Sequence, residues 1–214
     1  MPLVNIEYQP EGSRIAIWEI TETEEMLMQC ISEHDRVLED LVSTAHPQRR
    51  LERLAVRALL KNVLNKQDVH LQHYDNGRPY LANSTTNISI SHTKHFAAII
   101  YNEKAPVGCD IECYTRDFSA VEQKALSDEE RKYLSDKCHN LQLCLLWCAK
   151  EAIYKCVKED SVDFARQIFV KKFIPKEKGK LSALYTNSIG FATEFILRYK
   201  MIENYLMVWT VNIN

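Results

Sequence analysis

Apolar and polar positions alternate along some stretches of the chain and recur every three or four residues along others, which predicts strands and helices respectively. SRIAIWEI (13–20) alternates as a strand, and TETEEMLMQCISEHDRVLEDLV (21–42) then takes helical spacing, with Thr21 and Glu24 fitting a capping box. A second helix is predicted to start near Pro47, whose fixed φ and missing N–H suit a first turn, and to run to about Leu64 with Leu51, Leu54, Ala55, Ala58 and Val63 on its core side. HYDNGRPYLAN turns tightly at Asn76-Gly77, and NISISHTKHFAAIIY reads as strand, short turn at Thr93 to His95, and strand. VGCDIECY (107–114) alternates again, helices follow as far as LQLCLLWCAKEAIYKCV, and the last fifty or so residues read as a strand meander broken at Lys178-Gly179, Asn187 and Glu203-Asn204.

Ala105-Pro106 punctuates this sequence of elements, dividing it into residues 1–105 and 106–214. Each part holds helices and antiparallel strands. The expected fold is therefore α+β, with two subdomains that resemble an internal duplication, each carrying helices packed on an antiparallel sheet.

Composition narrows the class of protein. The chain of 214 residues is 46% hydrophobic and 26% charged with net charge −2, and it has neither an apolar run of membrane-spanning length nor a low-complexity tract. Its N-terminus lacks a basic segment followed by an apolar one, so the expectation is a cytoplasmic protein with no membrane partner. The seven cysteines form no CxxC pair and read as reduced, mostly buried thiols rather than a zinc site. The near-neutral total hides a local excess: RRLERLAVRALLK (49–61) carries five basic residues against one acid, Glu52. Arg49, Arg53, Arg57 and Lys61 recur every four residues as a basic stripe suited to an anion.

Four short motifs could carry chemistry. In VGCDIE the period of two puts Asp110 and Glu112 on one strand face with no basic residue beside them, close enough to share a hard cation such as Mg²⁺ or simply to face water. In WCAKEAIYK, Trp147, Glu151 and Lys155 share one helix face at i, i+4 and i+8. Glu151 and Lys155 could be an ordinary helix ion pair, but the large aromatic beside them predicts a half-buried face. ISISHTK ends a strand at Ser91-His92, groups able to grip a phosphate, and NGRPYL delivers Arg78 from a turn. No Gly-rich phosphate loop and no GxSxG nucleophile elbow occur.

Taken in order, NGRPYL, ISISHT, VGCDIE and WCAKEAIYK resemble the 4′-phosphopantetheinyl transferase superfamily, in its longer two-halved form called Sfp-type. Its pattern is G-(K/R)-P, S-H, (V)-G-x-D-(I/V)-E and W-x-x-K-E-A-x-x-K, and the LERLAVRALL helix also matches. The resemblance spans residues 49 to 155. It implies an α+β enzyme of two similar subdomains related by a pseudo-twofold, which uses coenzyme A as substrate and Mg²⁺ as cofactor, and moves the 4′-phosphopantetheine arm to a serine of an apo acyl or peptidyl carrier protein, releasing adenosine 3′,5′-bisphosphate. By the same resemblance Asp110, Glu112 and Glu151 are the metal-binding acids, and Glu151 is a candidate to receive the serine proton, with Glu130 another. Lys155 and His92 assist at the pyrophosphate, and Ser91, His92, Arg78, Arg53 and Arg57 hold the phosphates of coenzyme A. Arg78 replaces the commoner lysine, which keeps the charge and changes the donor geometry. The implied protein is monomeric, with no nucleic-acid partner. The competing readings are a non-catalytic coenzyme A or carrier-protein binding module derived from such an enzyme, and a Mg²⁺-dependent phosphohydrolase.

Overall fold

A computed structural model describes residues 3–35, 37, 46–64 and 70–212. The chain divides into two compact units, Met1–Lys104 and Ala105–Asn214. Both are α+β.

The first unit contains β1 (Leu3–Tyr8), β2 (Arg14–Glu19), α1 (Glu24–Cys30), α2 (Pro47–Leu64), β3 (His70–His73), β4 (Pro79–Ala82), β5 (Asn87–His92) and β6 (Phe96–Asn102). Its main sheet has the order β1-β2-β6-β5, and β3 with β4 forms a separate two-stranded ribbon. These strands therefore do not form one continuous meander, because β6 pairs back onto β2. The β3–β4 ribbon turns where NGR predicts: Gly77 adopts φ 80°, and the Tyr74 N–H donates to Arg78 O at 3.0 Å across the turn. α2 buries Leu54, Ala55, Ala58 and Leu59 against Trp18, Ile99 and Leu27.

The predicted helix 21–42 is interrupted. α1 is capped by Thr23 rather than Thr21, its hydroxyl accepting from the Met26 N–H. The backbone turns extended at Ile31, and Ser32 then accepts from the Asp35 N–H at 3.1 Å to start a new helical turn. Residues 36 and 38–42 of that expected helix lie outside the described residues.

The second unit contains β7 (Val107–Cys113), α3 (Ser119–Ala125), α4 (Asp128–Arg131), α5 (His139–Val157), α6 (Phe164–Gln167), β8 (Ile168–Val170), β9 (Lys178–Thr186), β10 (Ala192–Ile202) and β11 (Tyr205–Val211). The sheet order is β7-β11-β10-β9-β8, all neighbours antiparallel. Lys178-Gly179 does not break this meander, because both residues lie inside β9. The glycine is needed for another reason: it stands opposite Tyr199, and a Cβ there would come within 2.8 Å of the tyrosine hydroxyl. α5 covers one face of the sheet, with Leu143, Leu145, Ala149, Ala152 and Ile153 in a core shared with Leu197, Leu206 and Val208. Of the seven cysteines, all free, Cys109, Cys144, Cys148 and Cys156 are buried.

Candidate functional site

The acids of VGCDIE reach α5 through a glycine. A Cβ on Gly108 would lie 1.8 Å from Ala152 O and 3.0 Å from Cys156 N, so only a bare Cα lets β7 lie against the helix backbone at this point. Two residues further along, Asp110 meets the helix face that carries Trp147, Glu151 and Lys155. Lys155 Nζ donates to Asp110 Oδ1 at 2.7 Å and to Cys109 O at 3.0 Å. Trp147 is hydrogen-bonded to the carboxylate of Glu112 and packs its ring against Phe164, 5.7 Å between centroids. That face of the helix is half-buried, as the aromatic beside the charges predicts.

Neither acid of the strand is left alone among anions. Asp110 has Lys155, and Glu112 Oε1 accepts from Arg116 Nη2 at 2.9 Å. The expectation that no cation would stand beside the pair is corrected: Arg116 lies just beyond the strand end, and Lys155 arrives from a helix 45 residues away in sequence. Arg116 also lies over the Phe118 ring, its Cζ 4.3 Å from the centroid.

Glu151 differs from both. Among the described residues it makes no hydrogen bond or ion pair. Burial and the charge of Asp110, with a further contribution from Glu112, push its carboxyl up to about 7 against the opposing pull of Lys155. Burial and Asp110 likewise push Glu112 up, countered in part by Arg116 and Trp147. Burial would lower the ammonium of Lys155, but Asp110 outweighs it and the group is raised. The charge of Asp110 thus raises both glutamates, and oxygen ligands of this kind are those a hard cation takes. In their present arrangement no three His, Cys, Asp or Glu side chains among the described residues stand as a metal-holding group, and Lys155 and Arg116 supply the positive charge.

Glu130, the other candidate proton acceptor, is occupied. It is 0% exposed, and its Oε1 accepts from the Val170 N–H at 2.9 Å. Its Oε2 accepts from the Ser127 N–H, the Ser127 hydroxyl and Lys150 Nζ at 2.8, 3.0 and 2.8 Å. Lys150, equally buried, places its other hydrogens on Phe164 O and Ile168 O. This acid and base tie α4, α5, α6 and β8 together, and both oxygens of the fully buried Glu130 are engaged within the protein.

In the first unit, the structure gathers a different set. Ser91 is buried in β5 and His92 ends that strand. His92 Nδ1 lies 2.9 Å from Glu52 Oε2, a partner that the sequence pattern did not single out because one acid in a basic helix reads as charge balance. Arg57 does not sit on an open stripe: its Nη1 donates to Asp35 Oδ1 at 2.7 Å, with side chains 11% and 13% exposed. Arg49 pairs with Glu52 at 3.3 Å and Arg50 with Glu24 at 2.9 Å, while Arg53 is half-buried on the same helix. Arg78 is half-buried at the ribbon turn, with its backbone N–H held by Asn76 Oδ1 at 3.1 Å.

Comparison with known proteins bears on the second unit. Residues 106–207 match the family model of the 4′-phosphopantetheinyl transferase superfamily, ACPS. A Haemophilus influenzae protein named "Putative 4'-phosphopantetheinyl transferase" is 31% identical over 121 residues, which is 51% of this chain and 50% of that relative. The match thus spans about half the length of the curated relative. The segment that brings Asp110, Glu112, Glu151 and Lys155 together lies within the residues matched, and over that segment the chain is similar to the 4′-phosphopantetheinyl transferase superfamily.

Proposed function

We propose that the protein transfers the 4′-phosphopantetheine arm of coenzyme A to a serine hydroxyl of an apo acyl or peptidyl carrier protein, releasing adenosine 3′,5′-bisphosphate. The observation that carries this reading is the convergence of Asp110, Glu112, Glu151 and Lys155 where β7 meets α5. In the reaction the serine oxygen forms a bond to the phosphorus that bears the pantetheine arm. The P–O bond of the pyrophosphate breaks, the adenosine bisphosphate leaves with the bonding electrons, and the serine proton passes to a base. Such a transfer depends on stabilising charge that spreads over phosphate oxygens and on holding the nucleophile in line.

Each residue has a role consistent with its surroundings. Lys155, kept charged by Asp110, supplies a fixed cation for the pyrophosphate. Glu151, with no bonded partner among the described residues and a carboxyl near neutrality, is suited to accept the serine proton within hydrogen-bond reach. Asp110, Glu112 and Glu151 would hold Mg²⁺, which when bound supplies countercharge to the pyrophosphate oxygens. Ser91, His92, Arg53, Arg57 and Arg78 are proposed to contact the phosphates of coenzyme A, Arg57 after release from Asp35. We place the protein in the cytoplasm as a monomer, with the carrier as its protein partner.

Incubation with coenzyme A, Mg²⁺ and an apo carrier tests the reading by mass spectrometry. A mass gain of one phosphopantetheine arm on the carrier supports it. Cleavage of coenzyme A without carrier modification would point to hydrolysis, and binding without either reaction to a non-catalytic module. Asp110→Ala and Lys155→Ala are each expected to slow transfer by about a hundredfold or more, the scale of losing a group that stabilises transition-state charge.

A further inference from the structure

Glu52 is the only acid in a segment with five bases, Arg49 to Lys61. Such an acid would ordinarily sit at the surface among its basic neighbours. It is instead 6% exposed, whereas the Arg49 side chain that pairs with it is 68% exposed. What Glu52 faces is His92: its Oε2 lies 2.9 Å from the imidazole Nδ1, and the His92 side chain is 25% exposed. Gln48 adds a second tie between the same helix and the turn after His92. Its Nε2 donates to Glu52 Oε1 and to Lys94 O, both at 3.3 Å. The turn is itself closed by the Thr93 N–H donating to Phe96 O at 2.7 Å. The helix start, the carboxylate and the strand end are thus linked around one ring.

A carboxylate on one ring nitrogen fixes the rotation of the imidazole and determines which nitrogen remains for a ligand. A ring protonated on both nitrogens can donate to Glu52 through Nδ1 and to a phosphate oxygen through Nε2, because carboxylate and phosphate are both acceptors. We infer that Glu52 is a positioning residue for phosphate binding: it holds His92 so that Nε2–H is presented to a phosphate of coenzyme A, and it acts through His92 alone. This inference rests on the proposed function, since the ligand phosphate is that of coenzyme A.

Titration calorimetry with coenzyme A and with adenosine 3′,5′-bisphosphate on the full chain tests it in four proteins: the parent, Glu52→Gln, His92→Gln and the double variant. Glu52→Gln keeps the side-chain volume and removes the charge. It is expected to weaken binding of either ligand by about tenfold, the scale of one charge-assisted hydrogen bond. Because Glu52 acts through His92, the double variant should bind no more weakly than His92→Gln, whereas a separate structural role would make the two losses add. In turnover, Glu52→Gln should raise the KM for coenzyme A and leave kcat at saturation unchanged. Parent-like affinity in Glu52→Gln, or additive losses in the double variant, would overturn the inference while the functional reading stands. A parent chain that binds neither ligand overturns the functional reading and the inference with it.

Discussion

Glu151 shows at one residue how the site stores unfavourable charge. Its carboxyl is raised to about 7, so between roughly pH 4.5 and 7 the unfolded chain releases this proton while the folded chain keeps it. The folded state binds more protons in that window, and stability must fall as pH rises through it, by about 3 kcal/mol. Glu151→Gln is therefore expected to melt with the parent at pH 5 and above it at pH 8, both in EDTA. A parent that is as stable at pH 8 as Glu151→Gln would show that the carboxylate is already compensated. Added Mg²⁺ should raise the melting temperature of the parent at pH 8 and move Glu151→Gln much less, since a cation relieves the same repulsion.

The same residues show what a sequence can and cannot disclose. Period two placed Asp110 and Glu112 on one strand face, and spacing by four placed Trp147, Glu151 and Lys155 on one helix face. Both facts are local. Arg116 as partner of Glu112, Lys155 as partner of Asp110 and Glu52 beside His92 all depend on which elements pack together, which no local period encodes. Thr21 was the expected cap because it has an acid three residues on. Thr23 performs that role because the helix starts later, and a run of TETEE offers two registers that composition does not separate.

At the scale of elements, two joints hold α5 in place. One is steric, the contact of Gly108 with the Ala152 carbonyl. Gly108→Ala forces either strand or helix to move in a close-packed core, and should cost about 3 kcal/mol or more and lower transfer together with stability, measurable by urea unfolding. The other is polar, the Lys150–Glu130 pair with both side chains 0% exposed. Lys150→Met strands a buried carboxylate and is expected to cost about 3–5 kcal/mol, whereas the Glu130→Gln, Lys150→Met double variant should recover part of that loss. If the double variant is as unstable as Lys150→Met, the backbone groups that these side chains satisfy matter more than the charge pair. The motif W-x-x-K-E-A-x-x-K thus has a division of labour that its spacing does not announce. Lys150 points into the core, and its neighbours Glu151 and Lys155 look toward β7.

Across the whole molecule, the two units share a plan beyond their composition. In each, a strand ahead of the helices pairs antiparallel with the unit's last strand, β2 with β6 and β7 with β11. In each a long helix, of 18 and 19 residues, packs on that pair. The alternation of helix and strand patterns made this α+β character legible, although the order of strands was not, since pairing partners far apart in sequence leave no periodic mark. Charge is distributed unevenly over the same plan: a chain of net −2 holds five of its bases on α2 between residues 49 and 61. Binding of a polyanionic ligand should therefore weaken with salt, and the KM for coenzyme A is expected to rise several-fold between 50 and 500 mM NaCl. A salt-independent KM would indicate that α2 does not meet the ligand's phosphates.

The buried amine of Lys150 has a further use, as a clock. With all three hydrogens engaged by Glu130, Phe164 O and Ile168 O, it is shielded from acylating reagents for as long as that part of the chain stays closed, whereas the exposed lysines 171, 172 and 178 react at once. Acetylation at Lys150, followed peptide by peptide over hours, would time the opening of the second unit in native buffer, without denaturant and without a probe attached to the protein.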